Sequence, residues 1–242
     1  MNAFQRNKGP ALNGRPQGAV TLRVLAALLG YPDAPLRSHL TEMAQLLAQD
    51  GALNRSRSAE LVALMAALGR GDPLDGESDY VELFDRGRAT SLHLFEHVHG
   101  DSRERGPAMI DLGQTYETAG LVLAEGELPD YLPAVLEFVS TQPGAEAKAF
   151  LGEIAHILKG IFGALQKRDS AYASVLGALL EMAGEKAEAV APPPEPPIDE
   201  SWAEPVVFDG CSTQGQAKPG QPQPIHIVRR TPAATIAQGA SS

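Results

Sequence analysis

FLGEIAHILKGIFGALQKRDSAYASVLGALLEM, residues 150–182, carries its large apolar side chains at steps of three and four. Phe150, Ile154, Ile157, Ile161 and Leu165 form one stripe, and Tyr172, Val175, Leu176, Leu179 and Met182 form the next. That spacing follows the 3.6-residue helical turn, whereas a half-buried strand would alternate every second residue. The same pattern extends upstream. Leu36, Leu40, Met43 and Leu47 make a stripe; so do Leu61, Met65 and Leu68, and again Met109, Leu112, Tyr116, Ala119 and Leu123. Strand-like alternation is nearly absent. The punctuation agrees: Asp72-Pro73 reads as an N-cap followed by proline at the first helical position, and Thr141-Gln142-Pro143-Gly144 separates two helices. The expectation is an all-α fold, with one helical domain of about seven to nine helices over residues 20–190.

Both ends differ from this domain. Residues 1–19 read as a flexible polar extension. In residues 191–242, which hold ten of the nineteen prolines, missing backbone donors and scarce apolar surface predict a mostly disordered tail. A short apolar island, Trp202, Val206, Val207, Phe208 and Cys211 within 202–211, interrupts it as a docking segment or linear motif. The net charge of −10 and pI near 5.1 argue against nucleic acid, whose phosphates are bound mainly by clustered Lys and Arg. Residues 20–190 hold 14 Lys or Arg against 25 Asp or Glu, while residues 1–19 carry Arg6, Lys8 and Arg15 and no acid. The single cysteine, Cys211, excludes an intrachain disulfide and any cysteine metal cluster. Basic residues ahead of the apolar run Val24–Leu29 resemble a secretion signal only poorly, because Gly30-Tyr31-Pro32-Asp33 stands where a cleavage site belongs. No stretch approaches the roughly 20 apolar residues of a membrane span.

The densest chemistry lies in YVELFDRGRATSLHLFEHVHGDSRERGPAMID, residues 80–111. Inside it His93-Leu94-Phe95-Glu96-His97 matches H-x-x-E-H. On a helix, His93 and His97 would share a zinc ion and Glu96 would polarise its bound water, the arrangement of a zinc hydrolase. A third protein ligand is not identifiable, and histidines near a helix end with Gly100 as stop signal are the plainer reading. No phosphate loop or nucleophile elbow accompanies it.

A second reading of the same stretch rests on Tyr80-Val81-Glu82-Leu83-Phe84-Asp85-Arg86-Gly87-Arg88-Ala89-Thr90-Ser91-Leu92 and Leu94-Phe95-Glu96-His97-Val98-His99-Gly100. It extends through Leu29-Gly30-Tyr31-Pro32-Asp33, Asp72-Pro73-Leu74-Asp75, Arg105-Gly106 with Ala108-Met109, Glu127-Leu128-Pro129-Asp130-Tyr131-Leu132-Pro133 and the Trp202–Cys211 island. Over roughly residues 20–211 this resembles the NarJ or delta-subunit family, the respiratory nitrate reductase assembly chaperones among the helical redox-enzyme maturation proteins. The resemblance implies a non-enzymatic, cytoplasmic chaperone. Its partner would be the nitrate reductase catalytic (alpha) subunit, whose N-terminal segment it holds during molybdenum cofactor insertion, before membrane attachment. Proteins of molybdenum cofactor biosynthesis are implied as further partners, and no cofactor of its own. A helical adaptor for another cofactor enzyme is the remaining alternative. The extension before Val20 and the Pro-rich tail depart from the family pattern.

An acidic helical domain offering an apolar groove suits an amphipathic basic peptide. The expected groove is Tyr80, Leu83, Phe84, Leu94, Phe95, Met109 and Tyr116, with Asp85, Arg86 and Arg88 at a helix-to-loop junction beside it. Asp75, Glu77, Asp79 and Glu82 make an acidic rim. Each apolar residue is also a candidate for plain core packing. Burying one large peptide side chain contributes about 1.5–3 kcal/mol, against about 0.2–1 kcal/mol for an exposed ion pair.

Overall fold

The computed structural model describes residues 4–6, 18–100 and 102–188. The Pro-rich tail with its 202–211 island, and most of residues 1–19, lie outside the described residues.

Ten α-helices occur among the described residues: α1 (Ala19–Leu28), α2 (Ala34–Asp50), α3 (Arg55–Arg70), α4 (Pro73–Tyr80), α5 (Leu94–Val98), α6 (Arg105–Thr118), α7 (Leu132–Val139), α8 (Gly144–Glu153), α9 (Ala155–Lys167) and α10 (Ala173–Ala183). The fold is all-α, as the periodicity predicts. The count exceeds nine because the stripe from Phe150 to Leu165 is two helices. At Ile154 the backbone leaves helical geometry (φ −89°, ψ 1°), and the apolar period continues across the break. The stripe expected to run from Met109 to Leu123 also stops short. Gly120 takes φ +78°, which ends α6, and Leu123 sits instead in a strand. That strand, β2 (Leu121–Leu123), pairs antiparallel with β1 (Phe4–Arg6), a pairing no alternating pattern announces.

Capping sets the other boundaries. Asp33, Asn54 and Asp72 each accept a backbone N–H of the first helical turn, at 2.8, 2.9 and 2.9 Å, and Pro follows Asp72 at the first position of α4. The run Val24–Leu29 is core: Leu25, Leu28 and Leu29 are fully buried. α1 packs on α7 and α2, while α10 packs on α9, α8 and α3. α7 is buried on every side except at Glu137, so its hydrophobic surround fits a central helix. Leu132, Leu136, Leu158, Ile161, Leu165 and Leu176 are fully enclosed, each contributing about 1.5–3 kcal/mol through burial. Polar ties lock α1 in place. Thr21 donates twice to the Asp50 carboxylate, at 2.6 and 3.0 Å, and Arg23 donates to Ser140 Oγ at 3.1 Å. No helix among the described residues is long and apolar enough to cross a membrane.

Candidate functional site

After α4 the helix does not continue in α geometry. Val81–Asp85 forms a π-helical turn, closed by the Arg86 amide donating to the Val81 carbonyl at 3.2 Å. A 3-10 turn at Arg88–Thr90 follows, and Thr90 ties the two together: its hydroxyl donates to the Leu83 and Gly87 carbonyls. Gly87 is required there by space, since a Cβ would collide with the Thr90 hydroxyl and approach the Leu83 carbonyl to 3.0 Å. The result buries Phe84 and leaves Asp85 and Arg86 exposed.

This corner forms one side of an open cavity of about 410 Å³. Its walls are Tyr31, Tyr80, Phe84, Asp85, Leu92, His93, Glu127, Leu128 and Tyr131, with the Gly126 backbone. Aromatic rings make the floor. Tyr80 stacks at a tilt on Phe84 (4.8 Å between centroids) and meets Tyr31 edge-on (5.6 Å), and Phe84 meets Tyr172 edge-on (5.1 Å). The Tyr80 hydroxyl donates to the Leu29 carbonyl at 2.7 Å and lies 3.4 Å from the Tyr131 hydroxyl. Burial pushes the ionisation of Tyr80 and Tyr131 upward, so both stay neutral hydrogen-bonding groups. Tyr31 and Leu128 stand at the lip, about half exposed at 47% and 45%.

Arg37 positions Tyr31. Its guanidinium donates to the carbonyls of Pro32, Leu68 and Pro73, at 2.9, 2.5 and 3.0 Å, clamping the 29–33 turn against α3 and the start of α4. The Tyr31 hydroxyl then donates to Glu77 at 3.0 Å, which raises its ionisation. α4 and the π turn carry Asp75, Glu77, Asp79 and Glu82, all exposed except the half-buried Glu77. Glu82 pairs with Arg86 at 3.0 Å on the surface. The cavity therefore joins an aromatic and aliphatic floor to carboxylates at Asp85 and Glu127.

Next to the wall residues His93 and Tyr131, Asp130 is fully buried and is the hub of a polar network. It accepts the Phe95 amide at 3.2 Å, faces His93 Nδ1 at 3.3 Å and lies 3.7 Å from the Arg105 guanidinium. Its own backbone carbonyl accepts the Leu94 amide at 3.0 Å, so one residue caps the start of α5 twice. The hydrogen bond that His93 donates to Asp130 raises the imidazole above its ordinary value, and burial opposes this. Tyr131 bridges antiparallel to His93.

These partners take apart the zinc arrangement. His93 stands before α5 with extended backbone (φ −87°, ψ 105°) and turns to Asp130; His97 Nε2 lies 2.9 Å from the Ser91 carbonyl; Glu96 faces Arg105 at 3.5 Å. Among the described residues no group of three or more His, Cys, Asp and Glu is disposed to hold a metal ion.

The expected groove residues divide. Tyr80, Phe84 and Asp85 line the cavity together. Leu94 and Tyr116 are in the core, Tyr116 fully buried with its hydroxyl donating to the Pro129 carbonyl at 2.7 Å. Leu83 and Phe95 are half-buried against the core, and Met109 is half-buried on α6. Arg88 lies at a second, smaller cavity of about 200 Å³ with Glu96, Gly100 and Arg105. The lip residues Tyr31, Glu127 and Leu128 and the hub Asp130 escape periodicity, because turns, not helix faces, present them; the clamp Arg37 lies near the start of α2, outside its apolar stripe. Four of the five lie in the 29–33 and 127–133 segments that carry the family resemblance.

The sequence pattern of the family described as "Nitrate reductase delta subunit" matches residues 33–177. The chain is 46% identical over 164 residues to the nitrate reductase molybdenum cofactor assembly chaperone NarJ of Escherichia coli (strain K12), covering 68% of this chain and 70% of that one. It is 34% identical over 163 residues to the nitrate reductase-like protein NarX of Mycobacterium tuberculosis (strain H37Rv), covering 66% of this chain and 24% of that longer protein. A match over more than half of its length, with this identity to a relative of which it covers 70%, means that the chain belongs to the nitrate reductase delta subunit family.

Proposed function

We propose that this protein is a chaperone of respiratory nitrate reductase assembly rather than an enzyme. It binds the N-terminal segment of the catalytic subunit and keeps that subunit competent for molybdenum cofactor insertion before membrane attachment, acting in the cytoplasm. The observation that carries this reading is the open cavity at Tyr31, Tyr80, Phe84, Leu128 and Tyr131, of which all but Tyr31 lie within residues 33–177, the stretch that matches the family.

Its chemistry suits a peptide better than a small polar substrate. The aromatic floor accepts one or two apolar anchors, Asp85 and Glu127 face a cationic side chain, and the acidic residues of α4 extend that field outward. The affinity resides in the anchors, and the charges set the rate and orientation of encounter. The test is calorimetry with a synthetic peptide copying the N-terminal segment of the catalytic subunit. Binding is expected in the wild type and is weakened about tenfold in Tyr31→Ala/Leu128→Ser, whose changes are at exposed positions and leave the fold intact. Absence of heat and of any melting shift at high peptide concentration would overturn the reading.

A further inference from the structure

β2 is a three-residue strand in a helical protein, and its edge is occupied by the chain's own β1. A strand edge presents unpaired N–H and C=O groups, which accept any extended segment that can lie alongside. Three further features give this pairing a direction. Phe4 faces Leu123 and Arg6 faces Leu121, so β1 begins beside the last residue of β2. From Leu123 the chain passes through a tight turn, in which the Glu127 amide donates to the Ala124 carbonyl at 3.2 Å and Gly126 takes φ +88°. That turn delivers Gly126, Glu127 and Leu128 straight into the cavity wall. Finally, the segment bearing β1 has Arg6, Lys8 and Arg15 without one acidic residue, while residues 20–190 are strongly acidic.

We propose that the segment carrying β1 is an intramolecular competitor of the client peptide: it occupies the β2 edge next to the cavity lip and is displaced when the client binds. This rests on the reading of the cavity as a peptide site. β1 itself is extended and its segment is basic in sequence, the client's chemistry in miniature, and its attachment to the domain gives it a high effective concentration without a tight contact. The edge thus stays covered between clients, and a client that pairs only weakly fails to open it.

The experiment uses the full chain and a variant with Phe4→Pro, Gln5→Pro and Arg6→Pro, which removes every strand N–H of β1. These positions precede α1, so the helical domain is untouched, and an unchanged melting temperature checks this. Calorimetry is run with the synthetic catalytic-subunit peptide, and amide hydrogen exchange is followed at Leu121–Leu123. The variant is expected to bind the peptide about tenfold more tightly, or ~1.4 kcal/mol, and to lose protection at β2. A peptide copying residues 1–17, added in trans, is expected to compete with the client on the variant. Equal affinities for variant and wild type overturn the competitor while leaving the cavity reading intact; no binding by either overturns both. A concentration-dependent dimer abolished by the prolines would assign the strand to a second copy and overturn the intramolecular assignment.

Discussion

Asp130→Asn isolates the hub of the site without changing its volume. In the wild type the buried carboxylate accepts the Phe95 amide and faces His93 and Arg105. The carboxamide keeps one acceptor and turns an NH2 group toward at least one of these donors. At 3.7 Å the Arg105 guanidinium is beyond hydrogen-bond range and acts on the carboxylate through charge alone. The loss is then set mainly by one buried, charge-assisted hydrogen bond, a cost of about 1.5–3 kcal/mol. For a chain of this size that is a fall in Tm of about 3–12 °C. A second signature comes from His93. Its folded-state value is raised by Asp130, with Glu96 acting the same way and Arg105 against it. The pair therefore adds stability in full below the unfolded histidine value of 6.5, and that increment is lost as pH rises through the higher folded value. Asn at 130 is expected to flatten this pH dependence as well as lower the whole curve. Urea unfolding at several pH values between about 5.5 and 8 measures both. A loss below about 0.5 kcal/mol with an unchanged pH slope would refute the view of Asp130 as the residue that holds α5 in place.

Four other outcomes follow from the geometry. Tyr116→Phe removes a hydroxyl that donates to the Pro129 carbonyl at 2.7 Å and is expected to cost about 0.5–1.5 kcal/mol by urea unfolding. Tyr172→Phe is expected to be neutral or slightly stabilising in the same assay. Its hydroxyl is buried without a hydrogen-bond partner among the described residues, a setting that pushes its ionisation up to about 12. Gly87→Ala forces a Cβ against the Thr90 hydroxyl and the Leu83 carbonyl and is expected to destabilise by about 1–3 kcal/mol, visible as a lower Tm. Reversing Asp75, Asp79 and Glu82 to Lys is expected to slow peptide association in low-salt stopped flow several-fold with little change in Tm; equal rates would remove the steering role of the rim.

Helices are legible in this sequence because a buried face repeats at each turn: the stripes on α2, α3 and α10 are the ones the core receives. What periodicity misses is local. The break at Ile154 leaves the apolar period intact, so nothing in spacing marks it. The β1–β2 pair is too short to show alternation, and it depends on a partner more than a hundred residues away. At the site, Tyr80, Phe84 and Asp85 are found together because they are near in sequence. Tyr31, Leu128 and Tyr131 join them only through tertiary structure. Leu94 and Tyr116 look like groove residues on hydrophobicity alone, yet Tyr116 is large enough to be a core centrepiece with one satisfied hydroxyl. Asp130 is the instructive case: a lone carboxylate among turn residues carries no pattern, and its weight comes from the donors it gathers.

The π turn at Val81–Asp85 makes rotational phase a property of the site. One extra residue in a turn rotates all that follows by about 100° relative to the helix before it. Here that offset stands between the acidic face of α4 and the exit of the chain at Arg86. Substitutions on the exposed side of the turn change a side chain, whereas deleting a single residue there would restore α geometry and swing Asp85 and the Thr90 tie away from the cavity. On the exposed side of this turn, chain length is constrained more tightly than chain identity.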